Sequence, residues 1–337
     1  MSKNKLAFYT ILCLVMGSCR EKPVRPSADV PKITMIDAAM SEIVDSTASI
    51  EVLAEGFNWS EGPLWLSAQN MLIFTDVPEN TVYSWDEKNG KQVYLKPSGY
   101  TLITGTEKRE GANGLALDPQ GRLVLCQHGN RRVARMEAPL ESPQDTFSWL
   151  ATSYMGKKLN SPNDLQIMAD GEIFFTDPPY GLPGGDQDTA KALRFNGVYR
   201  LGVNGEIILL DSLLTRPNGI ILTPDARTMI VANSDPEKAI WMKYTLDENR
   251  KVTDRTLWAD KTDLVKAGNK GLPDGLKLSR KGHVFATGPG GVLVFSLDGK
   301  WLGTIETGQA TANCALDAEE KYLYMTADDY LMRVRLR

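Results

Sequence analysis

The sequence is short of the residues on which several common classes of protein depend. Among 337 residues there are only four cysteines and two histidines. Two of the cysteines lie in the first 19 residues, and the other two, Cys126 and Cys314, have no CxxC spacing. That pattern excludes a disulfide scaffold and a cysteine-based zinc site. Both residues lie within apolar runs, where we expect small buried side chains.

Charge of one sign and nucleophile motifs are also missing. Lys and Arg number 38 against 42 Asp and Glu, a formal net charge of −4, and no basic run occurs along the chain. This balance argues against a nucleic-acid partner and against binding to acidic lipid surfaces. The pattern GxSxG does not occur, so the sequence gives no sign of the serine nucleophile that this motif presents.

Long apolar runs are absent except at the N-terminus. Lys3 and Lys5 precede "LAFYTILCLVMG", and Gly17 and Ser18 precede Cys19. The run is short for a membrane-spanning helix and typical of a secretory signal. Residues 1–19 resemble a bacterial lipoprotein signal in which Cys19 is acylated; cleavage without lipidation is the alternative. We therefore expect an exported protein, periplasmic or anchored to the membrane only through Cys19.

The next segment has the composition of a linker. Residues 20–48 contain three prolines and mixed charge, with little apolar periodicity before Ile36. We interpret them as a flexible tether. The folded domain is then predicted to span residues 49–337.

What the sequence does contain is a repeat. One acidic or amide residue, a short apolar strand, a polar turn and a second apolar strand recur six times, at spacings of 39 to 56 residues. We call the first residue of each copy its head. The six heads are Glu61, Asn113, Asn163, Asn218, Asp274 and Asn313.

The repeat predicts the fold. A unit of about 50 residues with room for four strands is the size of a propeller blade, and no stretch shows sustained apolar residues at helical spacing. The last copy leaves room for about three strands, and "SIEVLAEG" at 49–56 could supply the fourth. We predict an all-β, six-bladed β-propeller with four-stranded blades, its ring closed by N- and C-terminal strands in one blade, which leaves no free edge. The alternative, two packed sheets, does not explain the repeat length.

The heads predict a metal site. In a propeller the first strand of each blade lines the central channel, so six oxygen-bearing heads would converge at one mouth. Buried carboxylates and amides are costly if unpaired, and a hard cation resolves that cost. Calcium accepts both kinds of oxygen; Mg²⁺ and Mn²⁺ are alternatives, whereas the lack of His or Cys among the heads disfavours zinc and copper. A single Asn-Gly or Asp-Gly pair would indicate only a turn, but six heads in phase favour the metal.

Six short motifs carry a family resemblance. They are "EGP" at Glu61, "HGNRR" at His128, "SPND" at Ser161, "TDPPYG" at Thr176, "RPNG" at Arg216 and "LPDGL" at Leu272. In this order they resemble the SMP-30/gluconolactonase/luciferin-regenerating-enzyme-like family, and in particular its bacterial gluconolactonases. The resemblance implies a six-bladed propeller with one divalent ion on its axis and calcium-dependent hydrolysis of a small-molecule lactone.

The resemblance also implies a ligand set. Glu61, Asn218 and Asp274 match the family's three usual metal ligands, and Asn163 matches a fourth position that contacts metal or substrate. Ser161 stands where animal members carry an Arg thought to hold sugar hydroxyls, so the particular lactone stays open.

Two heads, Asn113 and Asn313, match no ligand of the family. We expect their side chains to bond to inner-strand backbone instead.

Four residues are candidates for the chemistry. The resemblance suggests that Asp274 stays a ligand while its second oxygen takes a proton from the attacking water. His128, at a strand end, is the other candidate base, whereas His283 in the strand "GHVFA" is more simply structural. Tyr180, in "PPYGLPGG", is predicted to line the mouth and contact substrate; a plain Pro/Gly turn is the alternative.

Two other functions remain open. The same metal framework could hydrolyse an aryl ester or a phosphotriester, since polarising P=O is the same task for the ion. A non-catalytic propeller that binds a sugar or a partner, with calcium as a structural ion, is the second possibility.

Overall fold

A computed structural model describes residues 30–101 and 110–337. The predicted signal at 1–19 and the first ten residues of the predicted tether lie outside the described residues. Of the helices within the described ranges, none has the length and apolar character needed to cross a bilayer. The described helices are short: α1 (Thr262–Lys266) and 3-10 helices at Ala38–Glu42 and Gly185–Gln187.

Antiparallel strands make up the rest of the architecture. The chain begins with β1 (Lys32–Met35) and β2 (Ile50–Glu55). Blade 1 follows with β3 (Ser60–Leu66), β4 (Met71–Asp76), β5 (Thr81–Asp86) and β6 (Gly90–Leu95). Blade 2 contains β7 (Ala112–Leu117), β8 (Leu123–Gln127), β9 (Arg132–Met136) and β10 (Phe147–Ala151). A small hairpin of β11 (Ser153–Tyr154) and β12 (Lys157–Lys158) leads out of it.

The remaining blades repeat the plan. Blade 3 contains β13 (Leu165–Ile167), β14 (Ile173–Asp177), β15 (Gly197–Leu201) and β16 (Ile207–Asp211). Blade 4 contains β17 (Pro217–Leu222), β18 (Thr228–Asp235), β19 (Lys238–Leu246) and β20 (Val252–Asp260). Blade 5 contains β21 (Leu276–Leu278), β22 (His283–Gly288), β23 (Gly291–Ser296) and β24 (Trp301–Glu306). Blade 6 contains β25 (Thr311–Leu316), β26 (Tyr322–Ala327) and β27 (Tyr330–Arg335).

The predicted closure of the ring is confirmed. The sixth sheet has the order β2-β27-β26-β25, so the N-terminal strand is its outermost strand. Ile50 pairs with Val334 and Glu55 with Tyr330. The inner strands β3, β7, β13, β17, β21 and β25 contact one another in ring order, and β25 returns to β3. The fold is therefore the six-bladed propeller that the repeat predicts.

The predicted tether is wrong for its described part. Strand β1 pairs with β24, with Lys32 opposite Glu306, and adds a fifth strand to blade 5. The 3-10 helix then buries Met40, which packs with Ile43 and Val44 into the core between blades 5 and 6. The domain thus begins near residue 32 rather than 49, because apolar side chains in this segment cover the outer edge of blade 5.

The core lies between the blades. Both faces of a blade are buried, so alternate residues of one strand face two different neighbours. In β4, Leu72 and Phe74 pack against blade 6, whereas Ile73 packs against blade 2. Cys126 and Cys314 are buried free thiols in two of these layers, as predicted.

Candidate active site at the channel mouth

The heads lie where the inner strands begin, and there the strand ladder is irregular. The register between β3 and β4 shifts after Glu61, and the ladders of β7 and β17 shift around Asn113 and Asn218 in the same way. Asn163 and Asp274 come just before β13 and β21. Such irregularities re-aim side chains, and here they turn the heads toward the axis.

Glycines after the heads let the ring close. A Cβ at Gly62 would lie 2.1 Å from the carbonyl oxygen of Asn113, and one at Gly219 would lie 2.2 Å from that of Asp274. Each glycine therefore contacts the next head around the ring. The Asn-Gly and Asp-Gly pairs of this chain serve close approach on the axis rather than tight turns.

Five of the heads line one cavity of about 680 Å³ at this mouth; they are Glu61, Asn113, Asn163, Asn218 and Asp274. The Oδ1 atoms of Asn113, Asn218 and Asp274 are buried and have no hydrogen-bond partner among the described residues. Leaving a buried polar atom unpaired costs about 1–3 kcal/mol. Three such atoms at one place indicate a site that is completed by a ligand.

The site holds more negative charge than its surroundings tolerate. Burial raises the pKa of Glu61 to about 7, and the nearby Asp164 raises it further against the N–H of Gly62. Burial likewise raises the pKa of Asp274 well above its ordinary value, with Glu61 as the second cause. A cation at this mouth would remove the cause of both shifts.

The donor set fits a hard cation. Carboxylate and amide oxygens are the ligands that calcium prefers. Within residues 30–101 and 110–337, no group of three or more His, Cys, Asp or Glu side chains is placed to hold a metal ion. Any ion at this mouth would therefore depend on the Asn amides as well as on the two carboxylates of Glu61 and Asp274.

A hydrogen bond fixes which way the amide of Asn218 faces. Its Nδ2 donates to Ser234 Oγ at 3.0 Å, and that hydroxyl in turn donates to the carbonyl of Pro273. With the nitrogen engaged, Oδ1 is the atom left for a ligand. Ser234 had no signal of its own in the sequence.

The predicted residues of the mouth are brought together. His128 follows β8 directly, is only 2% exposed and lines the cavity. Tyr180 lines the cavity as well, and its hydroxyl donates to the carbonyl of Ser234 at 3.4 Å. His283 lies in β22, away from the mouth, beside a separate small cavity.

Two expectations need adjustment. The side chain of Asn113 lines the cavity with an unpaired Oδ1 and does not bond to strand backbone, because the shift of β7 against β8 turns it to the axis. Asn313 does cap the N–H of Cys314 with its Oδ1, and its Nδ2 lies 3.4 Å from Glu61 Oε2.

Sequence reasoning missed Asp164. This carboxyl stands where most blades carry the glycine after the head, and it is buried in the channel with Oδ2 unpaired among the described residues. Burial raises its pKa, whereas the positive charge of Lys277 lowers it. The break in the repeat's own pattern, Asn-Asp instead of Asn-Gly, was the available signal.

Ser161 does not face the mouth. It is fully buried; its Oγ donates to the carbonyl of Pro178 at 2.6 Å and accepts from the N–H of Gly181 at 2.9 Å. Its role in this chain is to hold the loop that carries Tyr180.

Fold and mouth together define a class: a six-bladed propeller with an oxygen-donor set for a hard cation at one end of its channel. Residues 59–329 match the model of the SMP-30/Gluconolactonase/LRE-like region. The chain belongs to this family.

Three known proteins show how similar it is to individual members and relatives. The chain is 35% identical over 339 residues to the gluconolactonase of Zymomonas mobilis subsp. mobilis, covering 98% of this chain and 94% of that protein. It superposes on the structure of a gluconolactonase from Xanthomonas campestris with a TM-score of 0.77, at 31% identity, covering 93% of this chain and 99% of the other. It is also 23% identical over 256 residues to the diisopropyl-fluorophosphatase of Loligo vulgaris, covering 73% and 78% of the two chains.

Proposed function

We propose that this protein hydrolyses a sugar lactone, in the manner of a gluconolactonase, with a divalent cation at the channel mouth. Calcium is the proposed ion, and Mg²⁺ or Mn²⁺ is the alternative. The observation that carries the proposal is the pair of unpaired, buried oxygens, Asp274 Oδ1 and Asn218 Oδ1, on the floor of the cavity. The names of the relatives from Zymomonas mobilis and Xanthomonas campestris support the choice of substrate.

The proposed ligands are Glu61, Asn163, Asn218 and Asp274. When bound, the ion would polarise the lactone carbonyl and stabilise the negative charge that develops on its oxygen. Ser234 contributes by holding the amide nitrogen of Asn218, so that only the oxygen is available to the ion. The protein would thus bind the cation with a donor set already oriented before the ion arrives.

A base is required for the attacking water. Asp274 is the first candidate, with one carboxylate oxygen on the cation and the other taking the proton. His128 is the second, because its Nε2 has no partner among the described residues and its ring lines the same cavity. Either group would pass the proton to the ring oxygen when the C–O bond of the lactone breaks.

The cavity walls would select and shield the substrate. Trp59, Val77 and Leu272 give the walls an apolar character above the donor floor, which limits the water that competes with the lactone. Asn163 and Tyr180 are the proposed polar contacts to the substrate. Burial raises the pKa of Tyr180, with the charge of Asp274 as the second cause, so its hydroxyl stays a hydrogen-bond donor.

The test is acid release from glucono-1,5-lactone by the mature protein, with calcium, with chelator, and as Asp274→Asn. We expect turnover that requires both the cation and the carboxylate, with kcat/KM falling about 10³-fold or more in the variant. Asp263→Asn is the matched control, because that side chain is fully exposed. Lactone turnover that persists in chelator would overturn the metal-dependent mechanism.

Other substrates define the alternative. If folded, metal-loaded protein leaves the lactone intact but cleaves a phosphotriester or an aryl ester, the hydrolase proposal moves to that substrate, as the likeness to diisopropyl-fluorophosphatase would allow. If calcium binds and stabilises the protein while no ester or lactone is cleaved, a non-catalytic sugar- or partner-binding propeller is the better description.

We also propose export with a lipid anchor at Cys19. Incorporation of labelled palmitate into the full chain in a bacterial host, and its loss in Cys19→Ser, would support the anchor. A cleaved but unlabelled protein would favour a plain secretory signal.

A further inference from the structure

The imidazole of His128 is held in an unusual position for a residue at a strand end. The side chain is 2% exposed, and its ring lines the cavity above the donor floor. Nε2 has no hydrogen-bond partner among the described residues. A buried ring nitrogen without a partner is costly, so a group in the cavity is the natural candidate to fill that place.

The other ring nitrogen faces a carboxylate. Glu110 Oε2 lies 3.4 Å from His128 Nδ1. This contact is built into the backbone, because the N–H of His128 donates to the carbonyl of Gly111 at 3.2 Å and the N–H of Gly129 donates to that of Glu110 at 3.1 Å. A Cβ at Gly129 would lie 2.3 Å from the Glu110 carbonyl oxygen, so this glycine permits the close pairing.

The pairing decides which nitrogen carries the proton. A carboxylate only accepts hydrogen bonds, so Glu110 stabilises a proton on Nδ1. In a neutral imidazole the other nitrogen is then a pure acceptor. A second proton on Nε2 would need an acceptor that none of the described residues supplies. The environment therefore favours neutral His128 with its lone pair on Nε2.

We propose that Glu110 is a positioning residue, which holds His128 with its proton on Nδ1 so that Nε2 can accept a proton from water or substrate in the cavity. The inference rests on the proposed function in one respect, that His128 acts on the reacting water. The arrangement itself is a property of the folded protein. Glu110, at 41% side-chain exposure, would act through His128 and not on the substrate.

The first test is spectroscopic and needs no substrate. Since the chain has only two histidines, long-range ¹H–¹⁵N spectra of the imidazoles at about pH 8.5, where the rings are neutral, resolve both, and His283→Gln assigns them. We expect the proton of His128 on Nδ1 in the metal-free protein. Glu110→Ala should shift it toward Nε2, whereas Glu110→Gln should keep it on Nδ1, because the amide oxygen still accepts. A proton on Nε2 in the unmodified protein would overturn the proposal.

The second test is kinetic. Glu110→Ala should lower kcat about 10- to 100-fold, the usual loss when the partner that orients a functional His is removed, with KM changed by less than about threefold, and Glu110→Gln should restore most of it. Glu237→Ala, which removes an exposed carboxylate from the β18–β19 turn, is the matched control and should leave kcat unchanged. A kcat loss in Glu110→Ala without a tautomer shift, or a tautomer shift without a kcat loss, would overturn the assignment.

Failure of this inference can be told apart from failure of the proposed function. If His128→Gln keeps full lactone turnover while Asp274→Asn abolishes it, the lactonase proposal stands and the role of Glu110 falls. If no lactone is turned over at all but the tautomer of His128 follows Glu110 as described, the positioning stands and the substrate is a different one.

Discussion

Two layers of buried polar residues lie at the same end of the propeller, and the protein satisfies only one of them. In the supporting layer, at the ends of second strands, Asp177 accepts the N–H groups of Asn160 and Ser161 at 2.7 Å each. In the mouth layer, Asp274 Oδ1 and Asn218 Oδ1 have no partner among the described residues.

The supporting layer recurs from blade to blade. Asp76 accepts the N–H groups of Asn58 and Trp59 ahead of the first head, and Asn233 Oδ1 accepts the N–H of Arg216 ahead of the fourth. Each of these side chains closes the loop that delivers a head to the axis. The difference between the layers teaches that similar buried side chains a few residues apart have opposite tasks, one to fix the backbone and the other to receive a ligand.

The largest expected break in this comparison is Glu61→Gln. Removing one of two carboxylates from the mouth should weaken calcium binding about 10³-fold, since ligand charge sets affinity at oxygen sites. In chelator the variant should be as stable as the unmodified protein or more so, because a buried, repelled carboxylate is gone. Calcium titration by calorimetry and thermal unfolding measure the two halves. Calcium affinity unchanged within twofold would remove Glu61 from the ligand set.

The supporting layer should respond in the opposite way. Asp177→Asn exchanges a carboxylate that accepts two backbone N–H groups for an amide that can accept at only one end, and the free energy of unfolding should fall by about 3 kcal/mol even in chelator. Denaturant unfolding measures it, with exposed Asp263→Asn as control. Stability equal to that of the unmodified protein would contradict the division into two layers.

The comparison also shows what the sequence could predict. The strand repeat predicted the blade number, the closing strand at 50–55 and the meeting of the heads, because these follow from periodicity that is repeated along the chain. Strand β1 was missed because it is only four residues long and pairs with Gly303–Glu306, about 270 residues later, so no local pattern marks it. Asn113 was misjudged because a register shift, and not a residue type, turns its side chain to the axis.

Residues that act through a partner were the hardest to find. Glu110 and Ser234 belong to no repeat position, and only the fold brings them to His128 and Asn218. Asp164 could have been found, since it interrupts the pattern of glycines after the heads. Long-range contacts of single side chains leave no trace in composition or periodicity, whereas a broken repeat does.

A pH titration sharpens the comparison at a smaller scale. The pKa of Glu61 is raised from 4.5 to about 7 in the folded, metal-free protein, so the native state holds a proton that the unfolded state releases. The free energy of unfolding in chelator should therefore fall as pH rises from about 4.5 to about 7, by roughly 2 kcal/mol. Denaturant midpoints across this range measure it. Glu61→Gln should flatten the slope, and an equal slope in the variant would assign the effect to other groups.

The smallest expected effect belongs to Ser161→Ala, which lies between the two layers. Loss of the hydroxyl leaves the carbonyl of Pro178 and the N–H of Gly181 unpaired, at a cost of about 1 kcal/mol. Because this loop carries Tyr180 at the cavity, KM for the lactone should rise a few-fold while calcium affinity stays the same. Ser153→Ala, at an exposed position in β11, is the control. A drop in calcium affinity with KM unchanged would mean that Ser161 supports the ligand head Asn163 rather than the substrate loop, which would place it in the mouth layer.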